Sequence, residues 1–201
     1  DDKIAYACGN GSLVRKTVDG GNNWFEASDF GKSEPNHCRF LSFINADTGW
    51  IGSPALLAWT DDGGETWEPI ALPGGIERIA AIACLSVSSG FIFDDLAGIL
   101  YYTDSVGDGW EAVPTGVVSG KRIDSNAPLA ASRFSNRDKG IIVFYIFEPE
   151  RQMIILSTED GGDSWKSRKG PDCFGNLFLD KHGTLLTITD LSHGNLVCYR
   201  L

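Results

Sequence analysis

Short apolar runs separated by turn residues recur along the whole chain. Between Trp24 and Thr60 the runs RFLSFI, WIGS and LLAWT follow one another, interrupted by NADTG and PA, and WEPI follows the next turn. Short runs rich in aromatic and branched aliphatic side chains, bounded by Gly, Pro, Asn or Asp, predict strands. The pattern therefore predicts four strands per unit, called A, B, C and D from the inside outward.

The four-strand pattern repeats along the chain. The turn between C and D reads TVDGGNNW from Thr17, TDDGGETW from Thr60, TDSVGDGW from Thr103 and TEDGGDSW from Thr158. The first three copies are spaced by 43 residues each, and the fourth follows after 55. A period of this length, carried by short strands, predicts a β-propeller.

The whole chain, residues 1–201, is predicted to be a single all-β propeller domain of about five blades. The predicted blades are roughly 1–28, 38–71, 77–114, 132–169 and 174–201. The first lacks strand A and the last lacks strand D, so both terminal blades are incomplete. A four-bladed ring with extra strands and an excised part of a larger propeller are the two alternatives.

The C-to-D turn must reverse the chain within a few residues. Its central glycine is expected to adopt a positive φ, and its Asp carboxylate and Thr hydroxyl are expected to bond within the turn. The closing tryptophan is expected to bury its ring between blades, with its indole N–H on a backbone acceptor. The residues assigned this structural role are Thr17, Asp19, Gly21, Trp24, Thr60, Asp62, Gly64, Trp67, Thr103, Gly107, Trp110, Thr158, Asp160, Gly162 and Trp165.

Charge and apolar content exclude two classes of partner. The formal net charge is −10, which opposes binding to nucleic acid or to an anionic membrane surface. No run reaches the roughly 18 apolar residues of a membrane helix, so no membrane insertion is predicted. A content of 42% hydrophobic residues and 24 glycines fits a globular domain rich in tight turns.

The cysteines and histidines predict neither a metal site nor a cofactor. The five cysteines include no C-x-x-C pair, and the three histidines are scattered along the chain. Cys84 is expected to be a small core residue. Cys8 and Cys198 would meet if the fold closes on itself, but a buried free thiol is the preferred interpretation.

The repeated turn resembles the Asp-box, also called the BNR repeat. The shared pattern is Thr-x-Asp-x-Gly-x-(Ser/Thr/Asn)-Trp, from which the third copy departs at Ser105 and Gly109. This repeat occurs in sialidases, other glycoside hydrolases, sortilin-type receptors and photosystem II assembly factors. The resemblance implies that the turns lie on the face away from the ligand site, so that they are structural.

The opposite face, which carries the D-to-A and B-to-C connections, is called the loop face. Arg39, Arg78 and Arg133 are each expected to begin an innermost strand, which would bring three guanidiniums to the mouth of the channel as an anion site. The alternative is that each arginine pairs with a neighbouring acid. The long segment 114–132 adds Lys121 and Arg122 to this predicted ligand-binding surface.

The resemblance to photosystem assembly factors implies recognition of a protein through an arginine patch. The predicted function is therefore a non-catalytic propeller that binds a protein or peptide outside the cytoplasm, whether secreted, periplasmic or at the cell surface.

The alternative function is a sialidase-like protein that binds or hydrolyses an anionic glycan. A glycoside hydrolase would need paired carboxylates, for which Asp94 with Asp95 and Glu148 with Glu150 are the candidates. No Arg-Ile-Pro motif, which the resemblance to sialidases would require, occurs in the sequence.

Overall fold

The computed structural model describes the following residues: 3–9, 13–27, 38–76, 78–94, 96–115, 131–146, 152–170, 176–179, 185–190 and 195–200. They form eighteen strands, and no helix occurs among them. This confirms the predicted all-β class. Within these ranges no helix is long and apolar enough to cross a membrane.

The strands have the following bounds: β1 Ala5–Cys8, β2 Val14–Thr17, β3 Phe25–Glu26, β4 Phe40–Phe43, β5 Gly49–Gly52, β6 Leu57–Thr60, β7 Glu68–Pro69, β8 Ile79–Cys84, β9 Gly90–Asp94, β10 Ile99–Thr103, β11 Glu111–Pro114, β12 Ala131–Phe134, β13 Gly140–Ile146, β14 Gln152–Thr158, β15 Lys166–Lys169, β16 Asn176–Leu179, β17 Leu185–Asp190 and β18 Asn195–Arg200.

These strands pair into five antiparallel sheets whose strand order follows the sequence. Three sheets have four strands each, β4–β7, β8–β11 and β12–β15, and two have three strands each, β1–β3 and β16–β18. Strand β4 contacts β8, β8 contacts β12, and β12 contacts β16, so the first strands of successive sheets are neighbours. The number of blades and their limits stay predictions.

The core lies between neighbouring sheets. Phe91 of β9 stacks on Phe134 of β12 with ring centroids 4.0 Å apart, which joins the sheet β8–β11 to the sheet β12–β15. Between β4–β7 and β8–β11, the fully buried Trp50 donates its indole N–H to the Val87 carbonyl at 3.2 Å. Cys84 is buried in the core, as the sequence predicted, and its thiol is free. Each interface is therefore built mainly from aromatic and aliphatic side chains.

The predicted turns connect the last two strands of their sheets. In the turn from β6 to β7, the Thr60 hydroxyl donates to Asp62 Oδ1 at 2.7 Å and accepts the Gly64 N–H at 2.9 Å. The Asp62 carboxylate also accepts the backbone N–H of Thr66 at 3.0 Å and its hydroxyl at 2.6 Å. Gly64 has a φ of 85°. The carboxylate is thus bonded on both oxygens inside the turn, as predicted.

Two further turns repeat this network. In the order given for the turn from Thr60, the four bonds measure 2.8, 3.0, 2.9 and 2.6 Å in the turn from Thr17. They measure 2.8, 2.8, 3.0 and 2.5 Å in the turn from Thr158. In the turn from Thr103, the hydroxyl accepts the N–H groups of Ser105 at 3.3 Å and Gly107 at 3.2 Å, but Ser105 stands at the position of Asp62, so the bonding carboxylate is replaced there by a hydroxyl. There Val106 takes a φ of 55°, a conformation that costs energy for a β-branched residue.

Hydrogen bonds hold the turn carboxylates in the ionised form. They lower the pKa of Asp19, Asp62 and Asp160 from 3.8 to about 2. The largest cause is the Asn23 backbone N–H for Asp19 and the Ser164 hydroxyl for Asp160. For Asp62, burial acts in the opposite direction, but the bonds from Thr66 and Thr60 outweigh it.

The closing tryptophans differ in burial. Trp67 and Trp165 are half-buried, and Trp110 donates its indole N–H to the Ala71 carbonyl of the preceding sheet at 2.7 Å. The prediction was wrong for the ring of Trp24, which is 40% exposed and bonds only back to its own turn at Gly21. The indole N–H of Trp165 is buried without an acceptor among the described residues.

A disulfide joins Cys8 to Cys38, with the two Cα atoms 5.6 Å apart. The expectation of a free thiol at Cys8, and the alternative pairing with Cys198, were therefore wrong. Cys8 ends β1, and Cys38 lies two residues before β4 in the next sheet, so the bond ties two sheets together near the start of β4. The Cys198 side chain lies outside the described part of the structure.

Reduction of this disulfide is expected to lower the Tm by about 5–10 °C, because the cross-link restricts an unfolded loop spanning 30 residues. Thermal melts with and without dithiothreitol measure the effect. The Cys8→Ser/Cys38→Ser double variant is the control, and its Tm should not respond to the reductant. An equal response of the double variant would contradict the assignment.

The free energy of unfolding is expected to fall as the pH drops from about 4 to about 2. In this interval the unfolded chain binds more protons than the folded one, because the turn carboxyls have a pKa of about 2 when folded and 3.8 ordinarily. Above this interval the turn carboxyls contribute fully to the free energy of unfolding, and this contribution is lost on acidification. Denaturant titrations at several pH values across the interval measure how steeply the free energy of unfolding falls with pH. This slope should be shallower for Asp62→Asn/Asp160→Asn. A slope unchanged in that variant would contradict the assigned role of the turns.

Candidate functional site

The loop face is defined by the direction of the strands. Because neighbouring strands are antiparallel, the turns from first to second strand and from third to fourth strand share one end of each sheet. The turns from second to third strand, which include 53–56 and 94–98, lie at the other end together with the connections into the first strands. These turns and connections form the loop face.

Arg39 and Arg78 flank a single turn of the loop face. The N–H of Arg39 donates to the Gly52 carbonyl at 2.9 Å, just before the turn 53–56. The N–H of Ile79, next to Arg78, donates to the Pro54 carbonyl within that turn, also at 2.9 Å. Arg39 is exposed and Arg78 is half-buried. The structure therefore brings two of the three predicted arginines to one place.

The turn between these arginines is fixed by its own hydrogen bonds. The buried Ser53 hydroxyl accepts the N–H groups of Ala55 at 3.3 Å and Leu56 at 3.0 Å, and the Ser53 N–H donates to the Leu56 carbonyl at 2.9 Å. This local network satisfies the turn backbone and presents Leu56 outward, where it is 38% exposed.

Arg133 does not lie where the sequence pattern placed it. Strand β12 begins at Ala131, so Arg133 is its third residue; it pairs with Ile141 and lies two positions before the turn 135–139. It therefore lies at the end of its sheet opposite the loop face, and the prediction that it begins an innermost strand was wrong. Lys121 and Arg122 lie outside the described residues.

Among the four acids of the candidate catalytic pairs, Asp94 lies within the described residues, and its carboxylate is hydrogen-bonded within its own turn. Asp94 is fully buried, and its Oδ1 accepts the N–H groups of Leu96 at 3.0 Å and Ala97 at 3.1 Å. Burial raises the pKa of Tyr101, and the charge of Asp94 adds to this effect. Asp95, Glu148 and Glu150 lie outside the described residues. Asp94 thus stabilises the turn 94–98 through a carboxylate bonded to the backbone.

The free thiol of Cys84 is a poor nucleophile. Burial raises the pKa of the Cys84 thiol to about 12, so this thiol stays protonated near neutral pH and is a poor nucleophile. No group of three or more potential metal-ligating side chains occurs within the described ranges.

The loop face carries exposed leucines that the sequence pattern alone did not indicate. Leu56 and Leu96 lie in its turns 53–56 and 94–98, and Leu13 ends the connection from β1 to β2. These side chains are 38%, 42% and 38% exposed, respectively. The available signal was a leucine within a turn-forming stretch, as in SPALL and DDLAG. The loop face thus combines apolar side chains with at least two arginines.

Comparison with known proteins identifies related sequences. A family model described as "Photosynthesis system II assembly factor YCF48" matches residues 1–133. The chain is 33% identical over 180 residues to the chloroplastic photosystem II stability/assembly factor HCF136 of Oryza sativa subsp. japonica, covering 83% of this chain and 42% of the relative. It is 32% identical over 134 residues to the photosystem II assembly lipoprotein Ycf48 of Synechococcus sp. (strain CC9902), covering 63% and 39%. The chain spans about two-fifths of the length of these relatives.

A solved structure of YCF48 bound to a D1 peptide shares the fold. The TM-score is 0.52 at 17% identity, covering all of this chain and 89% of the other. This likeness confirms the β-propeller architecture that the repeats predicted. Because the family model matches residues 1–133 of the 201, the chain belongs to the photosynthesis system II assembly factor YCF48 family.

Proposed function

We propose that this propeller binds a peptide segment of a photosystem II protein through its loop face and performs no chemistry on it. The observation that carries the proposal is the position of Arg39 and Arg78 on either side of the turn 53–56. Guanidinium groups offer forked donors that match carboxylates, and here they occur on a chain of net charge −10. The exposed Leu56 beside them offers apolar contact area.

The chemistry of the face favours an extended peptide with both acidic and apolar groups. Leu96 lies on the same face in the next sheet and enlarges the apolar part of the surface. Lys121 and Arg122, from the long segment 114–132, complete the proposed cationic surface. Arginine at the centre of such a surface typically contributes much of the binding energy, and surrounding apolar residues exclude water.

The related proteins support this choice of partner. The family model and both relatives describe photosystem II assembly factors rather than enzymes, and the solved YCF48 structure contains a D1 peptide. A D1-type segment is therefore the proposed ligand. One relative is a lipoprotein and another is chloroplastic, which supports a proposed location outside the cytoplasm.

The four repeated turns are proposed to be Asp-boxes with a purely structural role. In three of them the carboxylate accepts three hydrogen bonds from its own turn, so its oxygens are used within the fold. A structural role agrees with the position of these turns, which lie at the end of the sheets opposite the loop face.

Arg39→Ala and Arg78→Ala are each expected to weaken binding of a D1 peptide about tenfold or more, because a charge-assisted hydrogen bond contributes about 1.5–3 kcal/mol. Isothermal titration calorimetry on the folded variants measures the Kd. Arg133→Ala is the matched control, since it removes the same group at the other end of a sheet, and it should leave the Kd unchanged.

If all three variants weakened peptide binding equally, the proposal that the peptide binds to the loop face would be contradicted. Failure of the unsubstituted protein to bind the peptide would contradict the proposed ligand. Higher salt should weaken binding of the unsubstituted protein more than that of Arg39→Ala, because the variant has lost one charge from the surface.

A further inference from the structure

The Cys8–Cys38 disulfide lies on the loop face. Cys8 ends β1 and is followed by the connection to β2, and Cys38 lies in the connection into β4. Both connections are at the end of the sheets opposite the turn from Thr17. The cross-link is therefore at the same end as the turn 53–56, beside which the proposed peptide surface lies.

Cys38 immediately precedes Arg39, one of the two arginines of that surface. The N–H of Arg39 donates to the Gly52 carbonyl at 2.9 Å. The main chain here is thus bonded on one side to the strand that enters the turn 53–56, and on the other side, through the disulfide, to β1. Arg39 itself is exposed, so packing does not hold its side chain. The direction in which its guanidinium leaves the sheet therefore depends on the backbone that Cys38 anchors.

The Cys38 side chain is held between two sheets. It is 3% exposed and belongs to a core cluster with Val14 of β2, Ile51 of β5 and Ala58 of β6, against which Cys8 also packs. Beyond this cluster, a groove of about 470 Å³ runs between β1 and β4, so the noncovalent contact between these two strands is incomplete. The disulfide therefore supplies a link that packing provides only in part.

Arg78, the other arginine, is positioned independently of the disulfide. It precedes β8, whose first residue Ile79 donates its N–H to the Pro54 carbonyl at 2.9 Å. All six residues of β8 are buried, so neighbouring sheets hold this strand by packing. Loss of the disulfide should therefore release Arg39 and leave Arg78 in place.

We propose that the Cys8–Cys38 disulfide positions Arg39 for peptide binding, so that reduction of the disulfide weakens the binding of a peptide to the loop face. This inference rests on the proposed function, because it concerns the same surface. The disulfide acts through Arg39 and does not contact the peptide. A side chain that is ordered before binding loses less conformational freedom in the complex, which favours the oxidised protein.

A dithiol supplies the electrons for the reduction. Its thiolate attacks the sulfur of Cys8, the more accessible partner, since Cys8 is half-buried and Cys38 is almost fully buried. The Cys38 sulfur leaves as a thiolate and takes up a proton. The second thiol of the reagent attacks the mixed disulfide and releases Cys8, which is also protonated. The protein thus gains two electrons and two protons, and the dithiol becomes a disulfide.

Three proteins, each measured with and without dithiothreitol, test the positioning role. Fluorescence anisotropy with a labelled, cysteine-free D1 peptide gives the Kd at a temperature well below the Tm of the reduced protein. Reduction should weaken binding about three- to tenfold in the unsubstituted protein and by the same factor in Arg78→Ala. Reduction should have no further effect in Arg39→Ala, because the group that the disulfide positions is absent.

Hydrogen exchange without peptide distinguishes local release from general loosening. Reduction should speed exchange at the Arg39 amide and leave exchange at the Ile79 amide unchanged, since these amides bond to the two sides of one turn. The Cys8→Ser/Cys38→Ser variant should match the reduced protein in both measurements, with or without dithiothreitol. Reoxidation of the reduced, unsubstituted protein should restore its original Kd.

The possible failures are distinguishable. Equal Kd values of the oxidised and reduced proteins would overturn the positioning role alone, and so would an equal loss of affinity on reduction in Arg39→Ala. Faster exchange at both Arg39 and Ile79 would also overturn it, because the disulfide would then stabilise the sheets generally. Absence of peptide binding in both redox states would instead contradict the proposed function, and the positioning role with it.

Discussion

A small β-sheet with two apolar faces cannot bury both of them by itself, and this constraint shapes the whole molecule. In the sheet β8–β11 every residue of β8 and β9 is buried, so neighbouring sheets must cover both faces. One core cluster joins this sheet to β12–β15, and another joins it to β4–β7. Successive packing of equivalent sheets follows, and the ends of the sheets are left for turns and connections.

The two ends of the sheets use their polar groups differently. At one end the Thr hydroxyls and Asp carboxylates are bonded within the turns, and three carboxyls keep a pKa of about 2 as a result. At the other end the turn 53–56 satisfies its own backbone through Ser53 and leaves Leu56 and Arg39 at the surface. A scaffold that satisfies its turns locally can present such side chains without rearranging its core.

Most of the fold was predictable because its signals are local. Strand periodicity, glycine at positive φ and the repeated Thr-Asp-Gly pattern act over a few residues, so the all-β class and the positions of the turns could be derived from the sequence. The Cys8–Cys38 bond was not, because the choice of partner depends on how two sheets pack. Arg133 was misplaced because β12 starts two residues before it, in the weakly patterned stretch AAS.

The candidate site was only partly predictable for the same reason. Arg39 and Arg78 were found because each immediately precedes a strand, but nothing local indicated that both flank the turn 53–56. The exposure of Leu56 and Leu96 also depends on the final arrangement, since leucine near a strand is more often a core residue. Exposure of the Trp24 ring likewise follows from what packs beside it.

Peptide recognition is proposed to take place at the end of the sheets opposite the structural turns. Hydrogen exchange of the protein with and without a saturating D1 peptide tests it most directly, since protection maps the bound surface residue by residue. If the peptide binds to the loop face, exchange should slow in the turn 53–56 and at the starts of β4 and β8, with no change in the turns 60–67 and 158–165. Protection confined to the turns 60–67 and 158–165 would contradict it.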